Sequence, residues 1–260
     1  MVNNNMKKYG APSVKKAFEV LGALSSSKEG LGVSEIARAL HLAKSTVHGI
    51  TYTLEELGAV MRDPYSKRYR LGFTLFELGR LAYSQIDLKT LARPIMEELM
   101  QKTHTSVFLG ILNWDHVTVL DIVESRQDLK ITAPVGTTIP LFAGAAGKVF
   151  LASMEEKQTE TIIRSKGLTR FTENSIVDPD LYYQELRHVR KMGYAVDDEE
   201  YILGVRAVAS PIAGLGQLMS AIWAVGFKAS LDEEKMKVII TLTKKAAEAI
   251  RNRIQKQLEA

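Results

Sequence analysis

Nine consecutive residues, Lys44 to Tyr52 (KSTVHGITY), carry an ammonium, several hydroxyls, an imidazole and a phenol. Their types suit hydrogen bonding to a polar surface better than bond making, because no acid lies among them. At 100° per residue, Val47, Ile50, Leu54 and Leu57 fall within an arc of about 80° of a helix. Ser45, His48, Gly49, Tyr52 and Glu56 point the other way. The outer face is short and polar, with Lys44 at its N-terminal end. A helix that reads base edges in DNA needs this arrangement, while its back packs on a preceding helix. A second group follows closely. Arg62, Lys67, Arg68 and Arg70 flank Asp63-Pro64-Tyr65-Ser66, a turn-forming run, so four cations and Tyr65 share one short hairpin. Such a hairpin is either a wing lying along phosphates or an edge pair protected by charge. Ser45 and Thr46 have two readings as well, DNA contacts or helix caps.

Other chemistries fail on composition and spacing. The 260 residues include no cysteine, which excludes disulfides, thiol catalysis and Cys-ligated zinc. Gly144-Ala145-Ala146-Gly147-Lys148 suggests a phosphate loop, yet Phe142 and Val149 stand where that loop needs Gly and Ser or Thr. The five histidines lack ligand spacing, and no Gly-x-Ser-x-Gly elbow occurs. The acids Asp197 to Glu200 are either a metal site or a solvated run. We therefore expect no catalytic residues, no metal and no cofactor. With no long apolar run and no apolar leader, the expected setting is cytoplasmic, without a membrane partner.

Charge is unevenly spread. Residues 1–84 hold twelve basic and seven acidic residues, a net of +5, within a total of +4, so the remainder is at −1. Excess positive charge confined to one third of a chain fits either a polyanion partner for that third or a plain solvated surface.

The elements that must position these groups read as follows. Pro12 and Ser13 start a helix with apolar spacing from Val14 to Leu24. A short helix from Ser34, the link His41-Leu42-Ala43 and a helix from Lys44 to Leu57 form a helix-turn-helix. Residues 59–62 and 68–71 pair as strands. Phe73 to Tyr83 is apolar almost all round and needs a cover, for which a second copy is the natural candidate. Leu88 to Lys102 is helical with a kink or restart at Pro94. Strands are expected at Val107–Leu112, Val117–Val123, Leu129–Ala133, Val205–Ile212 and Leu218–Val225, the last two turning about Ala213–Gly216. Helices are expected at Phe142–Ser153, Glu156–Ser165, Pro179–Met192 and Asp232–Leu258. The fold class is α+β with a largely antiparallel sheet.

The stretch SEIARALHLAKSTVHGITYTLEELGAVMRDPYSKRYRLG resembles the winged helix-turn-helix of the IclR family of bacterial transcriptional regulators. The resemblance continues through ARPIMEEL (92–99), VLDIVES (119–125), PLFAGAAGKVFLA (140–152), GYAVDDEEYILGVRAVASPI (193–212) and SAIWAVGF (220–227). It implies a DNA-binding domain over 1–71, a dimerising linker helix over 72–86 and a GAF-like effector-binding domain over 87–260. It also implies a homodimer or tetramer on double-stranded, pseudo-palindromic DNA, regulating a catabolic operon in response to a small molecule. A GAF-like sensor of a small molecule or metal, with a signalling partner other than DNA, is the alternative. Gly49 stands where the family usually has Arg, which implies an altered operator.

The same resemblance places the effector against Phe142, Ala145, Ala146, Asp197, Val205, Ala207, Trp223 and Val225. Strand alternation puts Val205, Ala207 and Ala209 on one face, and Trp223 and Val225 on one face of the next strand. Phe142, Ala207, Trp223 and Val225 replace the family's usual His, Cys and small polar residues. A dry, aromatic pocket is expected, for an effector with an apolar or aromatic body, acids included. The amides near Ala145–Gly147 would then hold a carboxylate. In the opposing reading Trp223 fills the pocket itself.

Overall fold

The computed structural model describes residues 11–27, 29–84, 88–213 and 218–258, and the chain divides into two compact units, Met1–Ile86 and Asp87–Ala260.

In the first unit, helices α1 (Pro12–Ser25), α2 (Val33–Ala39) and α3 (Lys44–Glu56) precede strands β1 (Val60–Arg62) and β2 (Tyr69–Leu71) and helix α4 (Phe73–Ser84). Pro12 is the first helical residue of α1, where its fixed φ fits and its missing N–H is not needed. The core gathers Val20 and Leu24 of α1, Ile36 and Ala37 of α2, Val47 and Leu54 of α3, and Val60 and Tyr69 of the hairpin. Ile50 is half-buried, but Leu57, expected inside, is 63% exposed, since α3 ends one residue earlier and Leu57 turns outward as its cap. Thr51 takes an inner place instead. Its hydroxyl donates to the Val47 carbonyl at 3.0 Å, so a polar side chain is satisfied in an apolar core. β1 and β2 pair antiparallel, and Leu31 bridges to Tyr69 as a minimal third strand.

The second unit runs α5 (Leu88–Thr103), β3 (Ser106–Asn113), β4 (His116–Val123), β5 (Thr138–Pro140), α6 (Gly144–Ser153), α7 (Glu156–Lys166), α8 (Pro179–Met192), β6 (Ala195–Asp198), β7 (Val205–Ile212), β8 (Ser220–Phe227) and α9 (Glu233–Leu258). Its antiparallel sheet has the order β5-β4-β3-β8-β7-β6. Alternation along β7 and β8 sorts the two faces. Ala207, Ala209, Trp223 and Val225 pack with α6 and α8, whereas Val208 and Ala224 pack with Met236 and Ile239 of α9. The sheet is thus covered on both sides, and its central strands read as continuous apolar runs.

Four expectations are corrected. Leu129–Ala133 forms no strand; β4 pairs instead with Thr138–Pro140, and Ile131 and Ala133 pack from a loop against the core. The strand β6 was not expected, because two of its four residues are aspartates. Helix α5 runs unbroken through Pro94, which removes the restart of the two readings, kink or restart, and Pro94 lies on its exposed face, where losing one backbone hydrogen bond costs least. Helix α6 begins at Gly144, not Phe142. The expected turn at Gly214–Gly216 lies outside the described residues. Among the described residues no helix is long and apolar enough to cross a membrane.

Ile36 is fully buried where the first three helices meet. Ile36→Ala should destabilise the first unit by about 2–5 kcal/mol, read as a shifted urea midpoint.

Candidate nucleic-acid interface and effector cavity

The turn between α2 and α3 closes with His41 at a φ of 53°. Beyond it, Lys44, Ser45, His48, Gly49 and Tyr52 are exposed and Thr46 is half-buried. The N-cap of α3 is Ala43, and no side chain caps the helix. The capping role for Ser45 and Thr46 is thereby removed, and both hydroxyls are left unengaged within the described chain. A Cβ at Gly49 would meet nothing within 4 Å, so packing does not require glycine there.

The wing is organised by Asp63. Its carboxylate accepts from Ser66 N–H at 2.6 Å, from the Ser66 hydroxyl at 2.8 Å and from Tyr65 N–H at 3.1 Å. These bonds, that from the Ser66 amide foremost, hold the Asp63 carboxyl below the usual range. Tyr65 stands 93% exposed at the tip, and Lys67 is exposed beside it. Arg62 lies over the Tyr69 ring, 5.6 Å from its centre, and Arg70 is exposed, with a long contact to the Glu29 carbonyl at 3.4 Å.

Arg68 differs from the other three. Its Nη2 lies 2.9 Å from Glu35 Oε2, and its Nε donates to the Gly30 carbonyl at 3.1 Å. Glu35 also accepts from Gly32 N–H at the start of α2, and that bond above all holds its carboxyl below the ordinary value of 4.5. The expectation that Arg68 is a free phosphate contact is therefore corrected: it ties the wing to α2. No short-range pattern announces this pair, since 33 residues separate its members.

In the second unit, a cavity of about 200 Å³ is lined by seven of the eight expected effector residues: Ala145, Ala146, Asp197, Val205, Ala207, Trp223 and Val225. Phe142 is not among them. It lies in the turn before α6 and packs edge-on against Tyr182, ring centres 6.4 Å apart. Phe108 of β3 takes the aromatic place, stacked on Trp223 at 5.6 Å with 6° between the planes. Ile131, Ala133, Ile139 and Tyr201 also line the cavity and were missed. The cavity lies beside the indole, so Trp223 does not fill it.

Asp197 is the one charged side chain in that lining. It is 4% exposed, and burial raises its carboxyl above the ordinary value despite amide bonds from Glu200, at 2.7 Å, and Tyr201. Its second oxygen lies against Gly144, so close that a Cβ there would come within contact distance; Gly144 also has a φ of 57°. Helix α6 makes its first backbone bond from Gly147 to Ala143, leaving the amides of Gly144, Ala145 and Ala146 without intrahelical acceptors. The rest of the acidic run is neither a solvated row nor an open ligand set. Asp198 pairs with Arg206 and Lys228, Glu199 with Lys228, and Glu200 with Lys148.

Glu35, held first by the Gly32 amide and then by Arg68, has a pH signature. A carboxyl with a lowered folded pKa adds stability above its unfolded value and loses it as pH falls through the folded one. The thermal midpoint of the first unit should thus drop as pH falls below about 4.5, and Glu35→Gln should remove that part of the drop. Arg68→Ala should lower the midpoint at neutral pH, whereas Lys67→Ala should leave it unchanged. Circular dichroism melts test all three.

Comparison with known proteins agrees with this geometry. Residues 13–64 match the IclR helix-turn-helix domain, and residues 81–252 match the family described as bacterial transcriptional regulator IclR C-terminal. The HTH-type transcriptional regulator KdgR of Escherichia coli (strain K12) is 30% identical over 239 residues, 92% of this chain and 90% of that protein. An IclR transcriptional regulator from Alicyclobacillus acidocaldarius superposes with a TM-score of 0.78 at 30% identity, over 94% of this chain and 99% of that one. An IclR homolog from Microbacterium hydrocarbonoxydans, solved in complex with 4-hydroxybenzoate, shares the fold at a TM-score of 0.76 and 23% identity, over 94% of this chain and 99% of that one. A helix-turn-helix with a wing, an α+β unit with an internal cavity and matches to both domain families lead to one conclusion: this chain belongs to the IclR family of bacterial transcriptional regulators.

Proposed function

We propose that this regulator, as a homo-oligomer, reads a pseudo-palindromic operator through α3 and the wing, and that a small molecule with an apolar or aromatic body, acids included, sets its DNA affinity from the cavity. The observation that carries the DNA half is the face of α3. The side chains of Lys44, Ser45, Thr46, His48 and Tyr52 make no hydrogen bond within the described chain, beside a hairpin with exposed Arg62, Lys67 and Arg70. Side chains with free donors and acceptors on one helical face suit base edges, and cations on a hairpin suit phosphates. Oligomerisation is supported by α4, where Phe73, Phe76 and Leu78 are 67%, 61% and 59% exposed. A helix that shows this much apolar surface needs a partner, and a twofold pair of readers demands twofold DNA.

The effector half rests on the cavity lining, where Phe108 and Trp223 present a stacked pair and no lysine, arginine or histidine is present. Such a lining favours a flat apolar body. A ligand carboxylate would meet the free amides at the start of α6.

Binding to DNA tests the first half. Each wing cation on a phosphate adds about 0.9 to the log–log salt slope, so Lys67→Ala with Arg70→Ala should flatten it by roughly 1.8 and weaken binding to all sequences alike. His48→Ala or Tyr52→Phe should instead change which operator is preferred; a uniform loss would refute base reading. Gly49→Arg should fold normally and bind DNA more tightly. For the second half, Trp223 emission is followed in a Trp114→Phe background, which removes an indole that is 91% exposed. Benzoate and 4-hydroxybenzoate should perturb it and release operator, and pyruvate should not. A response to pyruvate alone would reverse the assignment.

A further inference from the structure

One glycine next to the cavity has no lining role, and it sits where the pairing of β3 with β4 shifts register, between Leu109 and Gly110. Gly110 is buried in β3, its φ lies outside the left-handed region, and it pairs with Ala221 across the sheet while Phe108 pairs with Trp223. What it offers is space. A Cβ built there would lie 2.6 Å from Cη2 and 2.9 Å from Cζ3 of Trp223, and 2.8 Å from the Thr118 carbonyl oxygen. The outer ring of the indole therefore rests directly on the Gly110 backbone. On that seat the ring stacks parallel to Phe108 and lines the cavity beside it.

We propose that Gly110 is a positioning residue that sets the volume of this cavity, and with it the size of the ligand, through the seat it gives Trp223. The step from volume to ligand rests on the cavity being the effector site. A large aromatic at 223 and a missing side chain at 110 form one unit. An added methyl would push the indole off its seat, and the cavity that Trp223 lines is the space open to it beside the ring.

Xenon tests this without an effector, because it enters dry apolar cavities. Crystals of the full chain are pressurised with xenon as wild type, Gly110→Ala and Gly110→Ala with Trp223→Leu. The wild type should show xenon beside Trp223. The single variant should lose it, with the indole displaced, and the double variant should regain it. No xenon in the wild type, or an unmoved indole with undiminished xenon in Gly110→Ala, overturns the proposal. Should Gly110→Ala fail to fold, a folded, xenon-binding double variant supports the proposal; failure of both assigns the glycine to the Thr118 carbonyl and overturns it. Operator release separates the two readings. If Gly110→Ala loses xenon yet answers 4-hydroxybenzoate as the wild type does, Gly110 controls the cavity and the cavity is not the effector site.

Discussion

The Lys148 side chain is 2% exposed, and the cavity depends on its ammonium being fully paired. Nζ donates to the Val196 carbonyl at 2.7 Å, to Glu200 at 2.5 Å and to Glu185 at 3.3 Å. These acceptors come from β6, the loop after it and α8. One charge from the middle of α6 thus pins the helix to the sheet edge and to its neighbouring helix. A buried charge deprived of its partner costs about 3–5 kcal/mol, so α6 has little freedom to slide. Its start at Gly144 is then fixed against Asp197, at the cavity that Gly144, Ala145 and Ala146 line.

The two units handle polar groups in opposite ways. In the second, the acids of residues 197–200 are spent on Lys148, Arg206, Lys228 and backbone amides. In the first, the polar face of α3 is left unmatched while the framework beneath it is satisfied, by the Thr51 hydroxyl and by Arg68 on Glu35. Recognition of another molecule needs donors that are rigidly placed and not already used. Arg68 adds to that placement by holding the wing near α2.

What could be read in the sequence follows the reach of each signal. The helix wheel of α3 and the alternation of β7 and β8 are local periodicities, and they put Val47, Leu54, Ala207, Trp223 and Val225 on the faces they occupy. Errors arise where non-local pairing decides. Arg68 looked like its neighbours because Glu35 lies far back in the chain. Leu129–Ala133 had the composition of a strand, but the edge of β4 was already taken by Thr138–Pro140. Phe142 and Phe108 are both plausible aromatic linings; only the register of β3 against β8 brings Phe108 onto Trp223. Strand β6 hid behind its aspartates, which are tolerated since one is buried against amides and the other is paired with Arg206.

The lining also bounds how a ligand can be held. With no cationic side chain present, an acid meets only helix amides, beside an Asp197 carboxyl whose own ionisation is disfavoured by burial. Charge attraction there is weak, so the apolar body must supply most of the affinity. A ring burying on the order of 150 Å² gains about 4 kcal/mol at ~25 cal/mol per Å². The freedom a ligand loses on binding offsets much of that gain, so burial of the ring alone does not hold it tightly. Whether a given aromatic compound binds more tightly is decided by how well its polar end shares the small space between the amides of Gly144–Ala146 and the free oxygen of Asp197. If the cavity is the effector site, the apolar wall admits a class of compounds and that polar corner selects among them.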